Sequence, residues 1–335
     1  DIQCFNECGD VFSRFSTESF MMGSKLLHHS SGYFAFSALV VYFFANFFNL
    51  VYREKCLIAR QGRRLGNEVV TNKHNEVHLT VILPFEDFNK ETVLESMARI
   101  TDSGSPCFRK QSRGNIPIHL VLYGNNTANY TDEEQVAWAT EGLGEHLGCF
   151  SSVVPIRGTP LLPEGPASEH ASMNHLFFEL FLNTTIRAQI PPDTTHLFWM
   201  ESDVLPLRPA WLDALGARAT ASRFWMAGGG YLGGGLDDAV AASRGNWDWT
   251  GRINGNALYS LREEPAAFSE FLRMVTHYEP AATRFCKFDA SIWRVLHAFP
   301  YAWPLHQRFR GRFLHADFLH DLSSLAPPAA VAAAR

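Results

Sequence analysis

The chain has 335 residues, of which 46% are apolar and 19% are charged, and its formal net charge is -5 at pH 7. This length accommodates one large domain or two modest ones with an ample core, and the composition is that of a globular protein. A negative net charge argues against a nucleic-acid-binding protein, because such proteins neutralise phosphates with a basic face. We therefore expect a folded protein that does not bind nucleic acid.

An uncharged apolar segment occupies residues 33–52. Its length matches a helix that crosses a hydrocarbon core about 30 Å thick. Tyr33 and Tyr52 stand at its two ends, where amphipathic rings anchor a span at the membrane interfaces. A buried core helix is the alternative. We predict a single transmembrane anchor, preceded by an N-terminal tail (1–32) and followed by a basic stem (53–75).

Two features of the sequence predict opposite orientations of this anchor in the membrane. Basic residues are more numerous after the segment than before it, which alone would place the following domain in the cytosol. Three glycosylation sequons, which begin at Asn125, Asn129 and Asn183, favour the lumen instead. We expect a single-pass Golgi membrane protein with a lumenal catalytic domain. The six cysteines have no zinc-site spacing, and the sequence leaves disulfides and free thiols equally open.

Strands and helices alternate from residue 77 onward. The predicted strands are 77–85, 116–123, 152–156 and 195–200, and the predicted helices between them are 90–100, 132–143 and 168–188. The strands are nearly all apolar, which is typical of a parallel sheet covered by helices on both faces. Such sheets bind ligands beyond the carboxyl ends of their strands. We predict an α/β catalytic domain over 76–322, whose first half is 76–205.

The second half of this domain, 206–322, has a different pattern. Residues 225–235 contain two triple-glycine runs, and a short strand entered through a glycine turn is predicted at 252–261. Helices are predicted at 266–274 and 289–296. The Ala/Pro-rich end, 323–335, is predicted to be a disordered tail.

An acidic triplet, Glu201-Ser202-Asp203, follows the fourth predicted strand. Hard divalent cations prefer carboxylate oxygens, and one or two carboxylates with substrate phosphates complete their coordination. Residues two apart in an extended strand end point the same way, so Glu201 and Asp203 can face one ligand. For the tripeptide alone, a solvated turn is the alternative. The position after a buried strand favours a metal site for Mn²⁺ or Mg²⁺.

The segment HLFWMESDVLPLRPAWLDAL, residues 196–215, resembles the metal-binding segment of GT-A-fold glycosyltransferases. In that superfamily a DxD or related acidic triplet ends a strand and precedes an apolar, proline-containing stretch and a helix. The resemblance implies a Rossmann-like, mostly parallel sheet, with Asp203 as a direct metal ligand. Glu201 would contact the metal's water or the nucleotide ribose. Glutamate at the first position departs from DxD and leaves the role of Glu201 less defined.

The same resemblance suggests further donor contacts. It places the nucleotide base near Pro84-Phe85-Glu86-Asp87, so Phe85 and Glu86 are candidate nucleotide contacts. It places Asn174, in the helix before the fourth strand, near the diphosphate-sugar. The alternatives are a helix-entry loop for residues 84–87 and an exposed polar helical position for Asn174.

Five residues of the second half are candidate acceptor contacts: Trp247, Asp248, Trp249, Asn254 and Asn256. Aromatic faces beside a carboxylate suit sugars, whose C–H faces stack on rings. The two tryptophans could equally be core residues, because alternate positions share one face. Asn254-Gly255-Asn256 offers amide donors and acceptors in a tight turn, or is simply a turn.

Three more residues complete the candidate site. Asp289 stands at a predicted helix start, where it is an N-cap or, in an inverting enzyme, the general base that takes a proton from the acceptor hydroxyl. Many members of the superfamily take a further metal ligand from a C-terminal histidine, so His315 or His320 could fill that place. An ordinary surface loop is the alternative for both histidines.

These features together predict a metal-dependent glycosyltransferase that uses a UDP- or GDP-sugar donor and a glycan or glycoprotein acceptor. A nucleotidyltransferase is one alternative, but it predicts a glycine-rich loop after the first strand, where this chain has Pro84-Phe85-Glu86-Asp87. A catalytically inactive lumenal binding or scaffold protein is the other.

Overall fold

The computed structural model describes residues 76–86, 88–108, 116–125, 129–160, 171–221, 223–230, 252–262, 265–278, 287–297, 308–316 and 318–319. All of them belong to the compact unit Glu76–Arg335. The predicted tail, anchor and stem (1–75) lie outside the described residues. Among the helices that are described, none has both the length and the apolar character that crossing a membrane requires.

One sheet contains the seven described strands. In chain order they are β1 Leu79–Phe85, β2 Ile118–Gly124, β3 Ser152–Arg157, β4 His196–Trp199, β5 Met226–Gly230, β6 Ile253–Ser260 and β7 Phe313–His315. Their order across the sheet is β3-β2-β1-β4-β6-β5-β7. The first four strands are mutually parallel, β6 runs antiparallel to β4 and β5, and β7 runs parallel to β5. The predicted α/β class with a mostly parallel sheet is confirmed.

Helices connect and cover the strands. They are α1 Lys90–Thr101, α2 Asp132–Leu143, α3 Ala171–Leu182, α4 Thr184–Arg187, α5 Trp211–Ala221, α6 Pro265–Tyr278 and α7 Phe288–His297, with 3-10 turns at Gly144–Cys149 and Arg310–Arg312. Capping boxes explain where the first two begin: Asn89 and Thr92 satisfy each other's backbone N–H groups at α1, as Thr131 and Glu134 do at α2.

The sheet separates two hydrophobic cores, as expected when both faces are covered. Alternate residues of β1 point to opposite faces, so Ile82 joins one core while Val81 and Leu83 join the other. The Ile82 core packs α3, α6 and α7, and the second core packs α1, α2 and α5. Elements from both layers therefore reach the carboxyl edge of the parallel strands.

Within the described residues, the helix predicted over 168–188 is divided into two. Residues 161–170 lie outside the described part, α3 ends at Leu182, and Asn183 begins a separate turn, α4. The Asn183 side chain accepts hydrogen bonds from the backbone N–H groups of Thr185 and Ile186. An N-cap starts a new helix and competes with continuation of the old one, which explains the break.

A disulfide joins Cys107 and Cys149. Cys107 lies between α1 and β2, and Cys149 ends the 3-10 turn before β3. The bond therefore links the connections on the two sides of β2. Cys56 and Cys286, the other cysteines after the predicted anchor, lie outside the described residues.

Candidate active site

The acidic triplet directly follows β4 at the carboxyl edge of the parallel strands. The sheet ladder reaches Met200, whose N–H donates to the Ile82 carbonyl at 2.9 Å. The Glu201 N–H then donates to the side-chain oxygen of Asn256 at 2.8 Å. Asn256 lies on the neighbouring antiparallel strand β6, so its amide replaces the lost ladder partner. The end of β4 is thereby fixed where the chain leaves the sheet.

The geometry of the triplet differs from the extended strand end that the sequence suggested. The strand ends at Trp199, and the Val204 N–H donates back to the Glu201 carbonyl at 3.1 Å, which closes a turn. As a result Glu201 is half-buried while Asp203 is exposed. The extended backbone assumed for the triplet is therefore replaced by a turn, and the expectation that Glu201 and Asp203 face one ligand stays a prediction.

Arg99 supports the triplet from α1. Its guanidinium donates to the Ser202 carbonyl and forms an ion pair with Glu95 at 3.6 Å. A narrow pocket lies beside this contact. It is lined by Leu83, Pro84, Ser96, Arg99, Met200, Glu201, Ser202 and Val204. A cationic side chain thus stands next to the triplet, on the side where β1 ends.

Negative charge is concentrated around Glu201. Burial, followed by the neighbouring charges of Asp203 and Asp289, raises the pKa of the Glu201 carboxyl to about 7, against a smaller lowering by the Trp199 hydrogen bond and by Lys287. The Trp199 indole N–H donates to Glu201 Oε1 at 3.2 Å. Three carboxylates therefore interact electrostatically at this edge, an arrangement that a bound cation would relieve.

Asp289 lies in the first turn of α7 and is only 4% exposed. Its Oδ2 accepts from the Gly255 N–H at 3.2 Å and lies 3.6 Å from Arg252 Nε, while Oδ1 accepts from the Ala290 N–H at 2.7 Å. The carboxylate thus joins the start of α7 to β6. Its general-base role stays a prediction, beside this evident positioning role.

Asn174 is also fully buried. Its side-chain oxygen accepts from the Phe288 N–H at 2.8 Å, so α3 holds the first residue of α7. The alternative of an exposed polar position is wrong, because this backbone group needs a partner inside the core. Contact with a diphosphate-sugar stays a prediction.

The segment Asn254-Gly255-Asn256 was expected in a tight turn but lies within β6, which already begins at Ile253. Asn254 Oδ1 accepts from the Asn256 N–H at 2.9 Å, and Asn256 holds Glu201 as described above. The Tyr259 hydroxyl donates to the Gly255 carbonyl at 2.8 Å. Burial, followed by the charges of Asp289 and Glu201, raises the pKa of that hydroxyl well above its usual range.

The predicted nucleotide-base contacts have opposite exposures. The Phe85 ring is buried at the end of β1, with an edge-to-face contact to Phe88 at 5.0 Å between centroids. Glu86 is exposed directly beyond it. The Phe85 ring is therefore part of the core, and Glu86 is the side chain of the two that faces solvent at the carboxyl edge.

His315 ends β7, which runs parallel to β5 at the far side of β6. Its imidazole lies against Gly230, where a Cβ would come within 2.9 Å of Nδ1. Because β5 runs parallel to β4, His315 reaches the same edge as the triplet, three strands away or about 14 Å between backbones. His320, Trp247, Asp248 and Trp249 lie outside the described residues.

Arg99, Lys287 and Arg252 were missed as site residues by sequence reasoning. Lys287 lies two residues before Asp289, where the helix was predicted to begin, and its position near this acidic candidate was the available signal. Arg99 and Arg252 approach the site only through the fold, since Arg99 is 103 residues from Ser202 in sequence.

No protein-family model and no curated protein sequence matches this chain. Solved structures that are similar to it include a galactosyltransferase, LgtC, in complex with donor and acceptor sugar analogues; it is 14% identical over 71% of this chain and 73% of its own, with a TM-score of 0.42. Mouse xyloside xylosyltransferase 1, in its apo form, is 10% identical over 72% and 85%, with a TM-score of 0.40. Glycosyltransferases are thus among the neighbours.

A third neighbour is 4-diphosphocytidyl-2C-methyl-D-erythritol synthase from Anaerococcus prevotii. It is 10% identical over 77% of this chain and 94% of its own, with a TM-score of 0.34. At such TM-scores an overall likeness does not decide between reactions. The residues of the site have to carry the functional argument.

Proposed function

We propose that this chain is a glycosyltransferase of the GT-A type that depends on a divalent metal and uses a nucleotide-diphosphate-sugar donor. The observation that carries the proposal is the acidic triplet at the carboxyl end of β4, held by Asn256 and Arg99. This edge is where ligands bind in open parallel sheets. The acceptor is proposed to be a hydroxyl of a glycan or glycoprotein.

The donor set fits Mn²⁺ or Mg²⁺. Asp203 offers an exposed carboxylate, and Glu201 a second one whose pKa is raised first by burial and then by the Asp203 charge. Hard cations prefer such oxygens and keep open positions for water and phosphate. By the family resemblance, either His315 or His320 would add a nitrogen ligand. The metal would supply charge neutralisation for the departing nucleoside diphosphate.

The chain's own residues fix the geometry of this site. Asn256 and Trp199 orient Glu201 through its backbone N–H and its carboxylate. Arg99 anchors the middle of the triplet and places a positive charge beside it. Asp289 and Asn174 hold the start of α7 next to β6. Chemical groups of the donor and acceptor would therefore meet a preorganised surface.

Asp289 remains our candidate base if the reaction inverts configuration. Asp289→Asn preserves the acceptance of hydrogen bonds at one oxygen and removes the basic carboxylate. We expect kcat to fall by about 100-fold or more for a general base. An unchanged kcat would leave Asp289 with its positioning role alone.

Nucleotide binding can be tested by thermal unfolding of the full chain with UDP or GDP, with and without Mn²⁺. A ligand at 100 times its Kd stabilises by about 2.7 kcal/mol. The proposal predicts a rise in Tm that requires both nucleotide and metal. If no nucleotide gives metal-dependent stabilisation, the proposal fails, and a response to nucleoside triphosphates with pyrophosphate release would indicate a nucleotidyltransferase.

We also propose that the domain lies in the Golgi lumen behind the anchor at 33–52. The disulfide Cys107–Cys149 supports an oxidising compartment, and the sequon residue Asn129 is exposed. The expected result is protease protection in intact microsomes and a mobility shift on removal of N-glycans. Digestion of the domain in intact vesicles would contradict this location.

A further inference from the structure

A second group of metal-ligating side chains lies at the opposite edge of the sheet. His78 precedes β1, His119 is the second residue of β2, and Asp193 precedes β4. One ligand atom from each lies within 4.8 Å of the others. Since β1 is seven residues long, this amino edge is about 20 Å from the acidic triplet. The group is therefore separate from the candidate active site.

The two imidazoles converge on a single carboxylate oxygen. His78 Nδ1 lies 2.6 Å from Asp193 Oδ2, and His119 Nε2 lies 3.3 Å from the same atom. Ligand atoms in a tetrahedral zinc site, with bonds of about 2.0–2.1 Å, stand roughly 3.3 Å apart. The distance from His119 Nε2 to Asp193 Oδ2 already has this value. The distance from His78 Nδ1 to the same oxygen would have to increase by less than about 1 Å.

The far side of each imidazole also has a polar neighbour. His119 Nδ1 is hydrogen-bonded to Ser152 Oγ at 2.8 Å, and His78 Nε2 lies 3.7 Å from a carboxylate oxygen of Glu76. Partners on the second ring nitrogen fix the tautomer and orientation of metal-binding histidines. His119 thus presents one nitrogen to Asp193 while a hydrogen bond holds the other, whereas the second nitrogen of His78 has only a longer contact with an exposed carboxylate.

The backbone around these ligands is held before any ion arrives. Thr195 Oγ1 accepts from the His78 N–H at 2.9 Å and donates to the His78 carbonyl at 3.0 Å. Thr80 Oγ1 lies 2.8 Å from Thr194 Oγ1. These contacts fix the segment of Asp193 against the start of β1. Binding of a metal ion would therefore require little further ordering of the backbone around His78 and Asp193.

Access and ligand chemistry favour one class of cation. His119 is 9% exposed, but the Asp193 side chain is 43% exposed, so an ion and a completing water can enter from solvent. Two imidazoles and one carboxylate suit Zn²⁺, whereas Mg²⁺ and Mn²⁺ prefer oxygen ligands. The amino-edge site, with two imidazoles, therefore differs in metal preference from the triplet, which offers the carboxylates of Glu201 and Asp203.

We propose that His78, His119 and Asp193 bind one Zn²⁺ ion, with water as the fourth ligand. The ion would tie together β1, β2 and the segment before β4, which are distant in sequence. Asp193 lies 115 residues from His78 and 74 from His119. A zinc ion at this place would stabilise the nucleotide-binding half without taking part in transfer.

The test uses the full chain without a histidine tag, stripped with EDTA and dialysed against Zn²⁺. Bound zinc is counted by mass spectrometry, and Co²⁺ serves as a probe through its visible absorption in a tetrahedral site. Asp193→Asn removes the carboxylate charge but keeps an acceptor oxygen, and His78→Gln is a second variant. Asp203→Ala is the matched control, because it removes a carboxylate at the other edge.

We expect wild type and Asp203→Ala to retain one zinc ion and a zinc-dependent rise in Tm. Asp193→Asn and His78→Gln should each bind zinc at least ~10-fold more weakly and lose the cobalt absorption. Absence of zinc from the wild-type protein would overturn the proposal and leave a plain His–Asp–His hydrogen-bonded group. Equal zinc binding by wild type and both ligand variants would also overturn it.

Discussion

The amide of Asn256 determines how Glu201 leaves the sheet. The side-chain oxygen of Asn256 accepts a hydrogen bond of 2.8 Å from the Glu201 N–H, at the point where β4 leaves the sheet. Glu201 in turn receives the Trp199 indole N–H on its carboxylate. At the residue scale, therefore, a side chain of β6 fixes the backbone at the point where the triplet begins.

Asn256→Ala is expected to destabilise the fold by about 1–2 kcal/mol, because it leaves the Glu201 N–H without its partner. It should also weaken Mn²⁺-dependent nucleotide binding. Chemical denaturation and a nucleotide titration measure the two effects. Gln189→Ala is the control, since that exposed amide makes only a local contact with Thr185. Equal effects of the two substitutions would contradict this role of Asn256.

The raised pKa of Glu201 gives a prediction about pH. Burial, then the Asp203 and Asp289 charges, raise the folded-state pKa from 4.5 to about 7. The protonated carboxyl therefore favours folding, and its contribution is complete below pH 4.5 and lost as pH rises through about 7. Without metal, Glu201→Gln should unfold at a higher Tm than wild type at pH 8 and at a similar Tm at pH 4.5. A Tm difference that does not change with pH would refute this explanation.

Among the elements, α7 and β6 are held together at Gly255. A Cβ at Gly255 would lie 2.4 Å from Phe288 Cζ, and the Phe288 ring stacks on Phe177 with centroids 3.7 Å apart. The Gly255 N–H also donates to Asp289. Any side chain at this position must displace the start of α7.

Gly255→Ala should therefore cost about 1–3 kcal/mol of stability, the usual penalty of overpacking. It should also shift Asp289 and lower activity. Gly148→Ala is a matched control, because a Cβ there meets nothing within 4 Å. Urea unfolding of both variants gives the comparison. Equal free energies of unfolding for Gly255→Ala and wild type would contradict this prediction, since α7 would then shift without loss of stability.

The disulfide Cys107–Cys149 links two connections whose cysteines are 42 residues apart. A cross-link of this span restricts the unfolded chain, and its loss typically costs about 2–4 kcal/mol. The double variant Cys107→Ser, Cys149→Ser should unfold at a lower Tm than wild type. A reducing agent should lower the Tm of wild type but not lower that of the double variant through loss of this bond. An unchanged Tm in the double variant would contradict a stabilising role.

For the whole molecule, the sequence was sufficient to predict the sheet that carries the site. The apolar strands and the helix 132–143 were recognisable because burial on both faces and an acidic first turn leave local patterns. The order β3-β2-β1-β4 was not predicted, because alternating strands and helices are compatible with more than one parallel order. The turn at the triplet was only an alternative at the level of sequence, which could not show that Asn256, 55 residues away, holds the Glu201 N–H.

Distance along the chain also explains the other omissions. Asp289 and Glu201 interact across β6, and the His78, His119 and Asp193 group assembles from three segments at the amino edge. Such groups have no local spacing to read. A short motif can be recognised in the sequence, whereas the distant residues that contact it are identified only from the structure. The molecule thus presents an acidic edge and an imidazole edge at opposite ends of one sheet.

The most direct test of the central claim is donor hydrolysis measured over a panel of nucleotide-sugars with Mn²⁺, for wild type and Asp203→Ala. We predict that wild type releases nucleoside diphosphate from one donor or a few related ones. Asp203→Ala should keep the fold and lose this turnover. Equal turnover of the same donor by both proteins would contradict the assignment of Asp203, and no turnover of any donor by wild type would contradict the proposed transferase activity.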